Sequence, residues 1–489
     1  MLILLLSCQE KQAGFSTSSS AEQHVAEDCS NGLYFSPVDI SGLSPREMSH
    51  SFHDEGPSVA IFDLDHDGMD DIIQCFPDEK AYHYTSSGKS EISIPCGTML
   101  VEDFNHDGWQ DLVVEQQDLA TKKQSWFYVY QNNQGTLDLR SRFVSFTKAS
   151  AIRSGDIDQD GLIDIALFGL GDNELQDQNL IIWGKENWTF ELRDNSYLKG
   201  GKTFDGILAD FNQDGLLDIY SVNDQGYVFE PNVFWWNRGD FLEEDTSCQC
   251  YPTQNGMGVN AGDYNRDGFL DLIASDVDQT HLLSYFGDEI FIDMTLATGA
   301  NTLHELDMGW GIQLVDIDND GFLEILSALG DQTYSDMSVE PEFVGDMQIS
   351  LGLQIDGEFT EAREQFGFTS WGSFRSIVPI HWNDDGILDY WITEAEKAPR
   401  LMVSNGCSEN SWLTFTGPNH TAVKLTADDQ VWYGELSNAS SYGASRSSSW
   451  HVGLGDQKNI SKIEVRFPGE NWKLYAEKLD VNQKISLEP

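Results

Sequence analysis

A nine-residue acidic motif occurs seven times, and it constrains the fold more than any other feature of the chain. The copies are Asp63–Asp71, Asp103–Asp111, Asp156–Asp164, Asp210–Asp218, Asp263–Asp271, Asp316–Glu324 and His381–Asp389. Their starts are separated by 40, 53, 54, 53, 53 and 65 residues. Each period suits one four-stranded unit of a propeller, toward the long end of blade length. Short, apolar, β-branched runs flank the motif, such as Val59-Ala-Ile-Phe62 before it and Leu112-Val-Val114 after it. These predict buried strands that each acidic loop connects. An EF-hand is excluded, because its loop runs twelve residues between helices and here position 9 closes the loop.

The side chains define the chemistry. Positions 1, 3 and 5 place oxygens at alternate residues, Gly at position 6 allows a sharp turn, position 7 offers its carbonyl, and position 9 closes the shell. The expected ligand sets are Asp63, Asp65, Asp67, Met69 and Asp71; Asp103, Asn105, Asp107, Trp109 and Asp111; and Asp156, Asp158, Asp160, Leu162 and Asp164. They continue with Asp210, Asn212, Asp214, Leu216 and Asp218; Asp263, Asn265, Asp267, Phe269 and Asp271; and Asp316, Asp318, Asp320, Phe322 and Glu324. The seventh set is Asn383, Asp385, Ile387 and Asp389, with His381 where the others have Asp. Hard oxygens in a flexible loop suit Ca²⁺; Mg²⁺ demands stricter octahedral geometry, and no Cys invites a softer metal. Up to seven sites are expected, the seventh weakest because it has the fewest carboxylates.

Composition agrees. Asp+Glu is 81 against 28 Lys+Arg, a formal charge of −53. The seven motifs hold 25 of those acids, and seven divalent ions would bring the net to −39. Such a surface excludes nucleic acid and electrostatic docking on anionic lipid. Aromatics at 12% exclude a disordered acidic chain. No apolar run reaches the roughly 20 residues of a transmembrane helix.

Met1–Leu6 is almost wholly apolar, and a polar stretch follows Cys8. Leu5-Leu6-Ser7-Cys8 resembles a bacterial lipobox, which implies lipidation at Cys8 and, since Gln9 is not Asp, an outer-membrane or cell-surface location. The remaining cysteines, Cys29, Cys75, Cys96, Cys248, Cys250 and Cys407, form an even set that permits three disulfides in 15 pairings; free thiols remain the alternative. A propeller must join its first and last blades. Cys29 and Cys407 flank the repeats, so a bond between them is expected to staple the closure, with Cys75–Cys96 inside the first blade. Arg238-Gly239-Asp240 matches a tripeptide that integrins bind, but it falls where the repeat needs a turn.

These loops make the chain resemble the FG-GAP/VCBS calcium-loop propellers over about residues 50–405. Asn255-Gly-Met-Gly-Val-Asn-Ala-Gly-Asp263 and Met308-Gly-Trp-Gly311 resemble the cartilage acidic protein branch. Beyond Asp389 the loops stop. Trp412-Leu-Thr-Phe415, Ser440-Ser-Tyr-Gly443, His451-Val-Gly-Leu-Gly455, Ile463-Glu-Val-Arg-Phe-Pro-Gly469 and Asn482-Gln483 resemble the ASPIC and UnbV domain. The resemblance implies an all-β protein: a signal over 1–8, a tether over 9–30, a seven-bladed propeller over 31–405 and a small β-sandwich-like domain over 406–489. His451 reads as a structural residue. No nucleophile elbow, zinc-protease motif or phosphate loop is present, so no catalytic residue is assigned. The expected function is a non-enzymatic, exported binding or adhesion propeller recognising a protein or glycan, in contact with membrane only through its lipid. The alternative is an exported hydrolase or assembly factor with a site in the propeller channel.

Overall fold

The computed structural model describes Cys29, residues 32–38 and residues 58–489, apart from 77–79, 87, 119–123, 147, 170–177, 246, 248–249, 251, 253, 278, 304–306, 332–346 and 396. Cys8, the apolar start, the polar stretch after it and Cys248 lie outside the described residues. Seven antiparallel sheets follow one another along the chain, each built on four strands; the third carries a fifth, Tyr197–Lys199, and the first continues into the C-terminal strands. The first is Val59–Phe62, Asp71–Phe76, Lys80–Thr85 and Gly88–Ile92. Each later sheet opens on an inner strand: Met99–Glu102, Ala149–Gly155, Lys202–Ala209, Val259–Gly262, Gly309–Val315 and Phe374–Ile380. Most of these inner strands are almost wholly buried; Val59–Phe62 is a continuous apolar run, whereas Ala149–Gly155, Lys202–Ala209 and Phe374–Ile380 bury Arg153, Asp205 and Arg375 as well. The acidic loop joins the first and second strand of every sheet.

The seventh sheet takes three strands from Phe374–Ser404 and its fourth from Phe35–Val38, near the start of the chain. The Cys29–Cys407 disulfide, Cα atoms 5.5 Å apart, sits beside that pairing. Cys75 and Cys96 are bonded within the first sheet, 5.3 Å apart. Cys250 is also disulfide-bonded. The first and seventh sheets share a core of Val59, Ile61, Ile72, Val378, Trp391 and Leu401, and Trp391 Nε1 donates to Gln74 Oε1 at 2.7 Å. The ring of a β-propeller is therefore closed by a disulfide, a borrowed strand and a packed seam.

The C-terminal strands form two facing sheets around Leu413, Phe415, Leu425, Trp432, Val452 and Ile463. One strand, Ala444–Gly455, belongs to both units. Its end pairs with Ser411–Thr416, while its start runs parallel to the propeller's Val59–Ile61. The preceding segment enters the ring. Asn438 Nδ2 donates to Val101 O at 2.8 Å and to Ser154 Oγ at 2.7 Å. Gln313 Nε2 donates to Ser440 Oγ at 3.3 Å, and Ile377 N to Ser441 Oγ at 3.1 Å. Val59 N donates to Gly443 O at 3.2 Å. A short segment that reaches the inner strands of five sheets lies on the axis they surround. Ser440, Ser441 and Ser445 are fully buried there, and Tyr442 packs on Met257, Met308 and Trp310. Burying so polar a segment is tolerable because the inner strands satisfy it. This segment runs along the channel axis, and a cavity lined by Ala209, Gly262, Leu314, Trp432 and Arg446 remains between the inner strands and the C-terminal unit.

Candidate metal loops

All seven loops lie on one face, since each follows the end of an inner strand. Position 6 has φ between 86° and 93° in every copy, which only Gly adopts without strain. In the first loop the position-1 carboxylate accepts two backbone N–H groups, Asp67 N to Asp63 Oδ1 at 3.0 Å and Gly68 N to Asp63 Oδ2 at 2.9 Å. Asp67 Oδ1 accepts Met69 N at 2.9 Å, and Asp71 Oδ2 accepts Leu64 N at 3.0 Å. The same bonds recur around Asp103, Asp210 and Asp263. Position 9 also accepts an N–H from the third strand of its sheet, as Asp111 does from Asn132 at 2.8 Å and Asp218 from Asn237 at 2.9 Å. These bonds aim the carboxylates inward and fix the turn before any ligand arrives.

Three copies bring acidic oxygens within 4.8 Å of one another: Asp63, Asp65 and Asp71; Asp156, Asp158 and Asp164; Asp316, Asp318 and Asp320. These are the copies with Asp at position 3. Where Asn stands there, its amide turns to a neighbour, as Asn105 Nδ2 does to Asp107 Oδ2 at 2.8 Å and Asn265 Nδ2 to Ser284 Oγ at 3.2 Å. Asp156 Oδ1, Asp316 Oδ1 and Glu324 Oε1 are buried acceptors without a donor. Buried, unpaired carboxylate oxygens are costly, and a hard cation is the partner their chemistry fits. Burial is also what raises their pKa values, with like-charged neighbours adding to it. Asp111 and Asp389 are pushed up to about 8, and Asp164 and Asp263 to about 7. Side-chain cations reach three loops: Arg193 Nη1 meets Asp158 Oδ2 at 2.6 Å, Arg466 pairs with Asp210, and Lys484 Nζ lies 2.7 Å from Asp384 Oδ1.

Sequence reasoning missed position 4. Its backbone is left-handed in all seven copies, from His66 to Asp384, and in four its side chain reaches the position-6 carbonyl of the next loop. Gln159 Nε2 donates to Gly215 O at 2.8 Å, Gln213 Nε2 to Gly268 O at 2.6 Å, Arg266 Nε to Gly321 O at 2.8 Å and Asn319 Nδ2 to Gly386 O at 2.9 Å. The first loop does it differently, stacking His66 on Trp109 with ring centroids 3.6 Å apart. The signal was the polar side chain at position 4 of every copy.

The C-terminal unit sits on this loop face. Gly453 N donates to Asp316 Oδ2 at 3.0 Å, and Ser408 Oγ and Asn410 Nδ2 both donate to Asp318 O at 3.0 Å. His451 spends both ring nitrogens on structure, Nδ1 with Thr414 Oγ1 and Nε2 with Asn319 Oδ1, each at 2.8 Å. Burial drives its pKa down to about 3, so it is neutral. Arg238 of the integrin-like tripeptide is held by Glu243 at 2.8 Å and by Glu289 at 2.5 Å, which ties two neighbouring turns together.

Repeated acidic loops on a closed ring, capped by a sandwich that enters the ring, define a loop-bearing propeller of the FG-GAP type. Residues 103–167, 156–221 and 210–274 match the FG-GAP-like repeat, and residues 420–489 match the ASPIC and UnbV domain. The chain carries FG-GAP-like repeats followed by an ASPIC and UnbV domain. It is similar to cartilage acidic protein 1 of Homo sapiens, 23% identical over 432 residues, covering 84% of this chain and 59% of that protein. Against the Mus musculus protein it is 22% identical over 435 residues, covering 84% and 61%. The chain thus spans about three fifths of these relatives. Among solved structures, the WD40 β-propeller domain of Doa1 aligns at 10% identity and a TM-score of 0.40, covering 76% of this chain and 97% of that one.

Proposed function

We propose that this chain is a non-enzymatic, calcium-stabilised binding or adhesion protein of the cell exterior that recognises a protein or glycan. The observation that carries the reading is the chain segment that occupies the channel axis. With Asn438–Ser445 on the axis and a domain over the loop face, a partner is left the sides and the opposite face. There the turn after the second strand of the fourth sheet exposes Tyr227, Val228 and Phe229, at 66, 62 and 48%. An exposed aromatic cluster on an otherwise acidic protein is a surface suited to a partner.

In this reading the oxygens at positions 1, 3, 5, 7 and 9 of the first six loops hold Ca²⁺, whose charge offsets the crowded carboxylates. Disulfides belong with an oxidising compartment. Export through the Met1–Leu6 segment, an outer-membrane or surface lipid anchor at Cys8, a tether to residue 30, a propeller over 31–405 and the last domain over 406–489 complete the proposal. The test is capture of envelope proteins and binding to a glycan array, in Ca²⁺ and in chelator, by the chain and by Tyr227→Ser/Phe229→Ser. Calcium-dependent partners lost in the double variant support the reading. Turnover of a glycan or ester substrate by the purified chain would contradict it.

A further inference from the structure

The seventh loop departs from the other six in the places an ion would need. Its position 1 is His381, whose ring turns toward His451 of the C-terminal unit, centroids 5.7 Å apart. The acceptor that Asp supplies elsewhere to the N–H groups of positions 5 and 6 is therefore missing. Its remaining turn bonds are those that the Asn-bearing second and fourth loops also make. Asp385 N goes to Asn383 Oδ1 at 3.2 Å, and Asp385 Oδ2 accepts both Asn383 Nδ2 at 2.9 Å and Ser404 Oγ at 2.5 Å. Asp385 Oδ1 accepts Ile387 N at 2.9 Å. Asp389 spends its oxygens on Ser404 N at 2.8 Å and Trp382 N at 3.2 Å. Each carboxylate oxygen at the loop's ligand positions has a donor, as in the second and fourth loops, but only two carboxylates, Asp385 and Asp389, stand at those positions here against three there.

The inter-loop ring has its gap at the same place. Position 4 here is Asp384, an acceptor, which cannot donate to the carbonyl of the next loop as Gln159, Gln213, Arg266 and Asn319 do. The next loop is the first one, across the closure seam. Lys484, from the last strand of the C-terminal unit, fills the gap: its Nζ lies 2.7 Å from Asp384 Oδ1 and donates to Gly68 O at 3.3 Å. Beside it, His381 N donates to Asp70 Oδ2 at 2.7 Å, linking the seventh loop to the first directly.

We propose that the seventh loop holds no divalent ion and that the Lys484 ammonium is its built-in cation, clasping the last loop to the first. A fixed ammonium beside a loop with two carboxylates at ligand positions repels a second cation and removes the need for one. The C-terminal domain thereby completes the propeller electrostatically as well as by entering its channel.

The inference rests on the first six loops binding Ca²⁺, and the experiment separates the two. Bound calcium is counted by native mass spectrometry of the full chain in excess Ca²⁺. Asp271→Asn, in the fifth loop, is expected to lower the count by one, and Asp389→Asn, in the seventh, to leave it unchanged. A count that falls for Asp389→Asn overturns the inference; one unchanged by Asp271→Asn overturns the ion reading instead. Lys484→Gln is expected to lower the melting temperature by several degrees both in Ca²⁺ and in chelator, with the surface variant Lys458→Gln as control. An unaltered melting temperature overturns the role of Lys484 whichever way the metal arms fall.

Discussion

At position 4 of the loops, seven residues of five kinds adopt one backbone conformation. His66, His106, Gln159, Gln213, Arg266, Asn319 and Asp384 all have φ between 55° and 63°. A left-handed non-Gly residue costs on the order of 1 kcal/mol, so the rest of the loop must impose it. The oxygens at positions 1, 5 and 9 do so by gripping backbone N–H groups. They bring a charge problem of their own, visible in the pKa values that burial raises. In the sign of linkage, a carboxyl raised in the folded state stabilises below its ordinary value of 3.8, and that stabilisation is lost as pH rises through its folded value. Asp210 and Asp318 are pushed up to about 6, Asp164 and Asp263 to about 7, Asp111 and Asp389 to about 8. Metal-stripped protein should therefore lose stability between pH 5.5 and 8, read as a falling urea midpoint, and Ca²⁺ should remove most of the decline. A midpoint that rises over that range in the metal-free state would contradict the assignment. Arg466, buried against Asp210 and donating to Gln213 O at 3.0 Å, is the second residue to test. Breaking a buried pair from one side strands the other charge, so Arg466→Met should cost about 3 kcal/mol in chemical denaturation, more in chelator than in Ca²⁺.

Among the elements, the loops and the strands beside them were legible in the sequence because carboxylates that grip the backbone of a tight turn and burial each fix residue type at fixed spacing. Asp, Asn and Gly cannot be exchanged freely in a nine-residue turn, and Val59–Phe62 has no polar position to give. The cysteine pairs were legible for a related reason, since a ring must close and Cys29 and Cys407 flank it. Two elements were not legible. Phe35–Val38 gives no sign that its partner is Arg400–Ser404, hundreds of residues away. Ser437–Arg446 reads as a polar connector; its burial depends on acceptors and donors at Val101, Ser154, Gln313 and Ile377, which no local pattern reveals. Asn438 is the test of that element. Its amide also donates to buried Glu102 Oε2 at 3.1 Å, so Asn438→Ala removes a donor from three buried acceptors at once, Val101 O, Ser154 Oγ and Glu102 Oε2. A loss of about 2–4 kcal/mol is expected by denaturant titration, against under 1 kcal/mol if the segment were solvated. Cys407→Ser should destabilise by up to about 5 kcal/mol, because the bond closes nearly the whole chain into one loop.

For the whole molecule, the propeller and the C-terminal unit share a strand, a channel and a loop face. Gly453, Arg466 and Lys484 reach the sixth, fourth and seventh loops from the far side of that interface. Under the proposed function, ion binding and domain docking act on the same loops, and the two units should melt together. A ligand held only by the folded state stabilises it by about 2.7 kcal/mol per site at a hundredfold excess over Kd. The central claim is that cations bound in the acidic loops hold this architecture together. Scanning calorimetry of metal-stripped protein, with excess Ca²⁺ and with EGTA at pH 7.5, tests it most directly. The expected result is one cooperative transition in Ca²⁺ that falls by roughly 10 °C or more in EGTA and returns on adding Ca²⁺. A melting curve that is the same in both, after metal analysis has shown the EGTA sample to be empty, would contradict it.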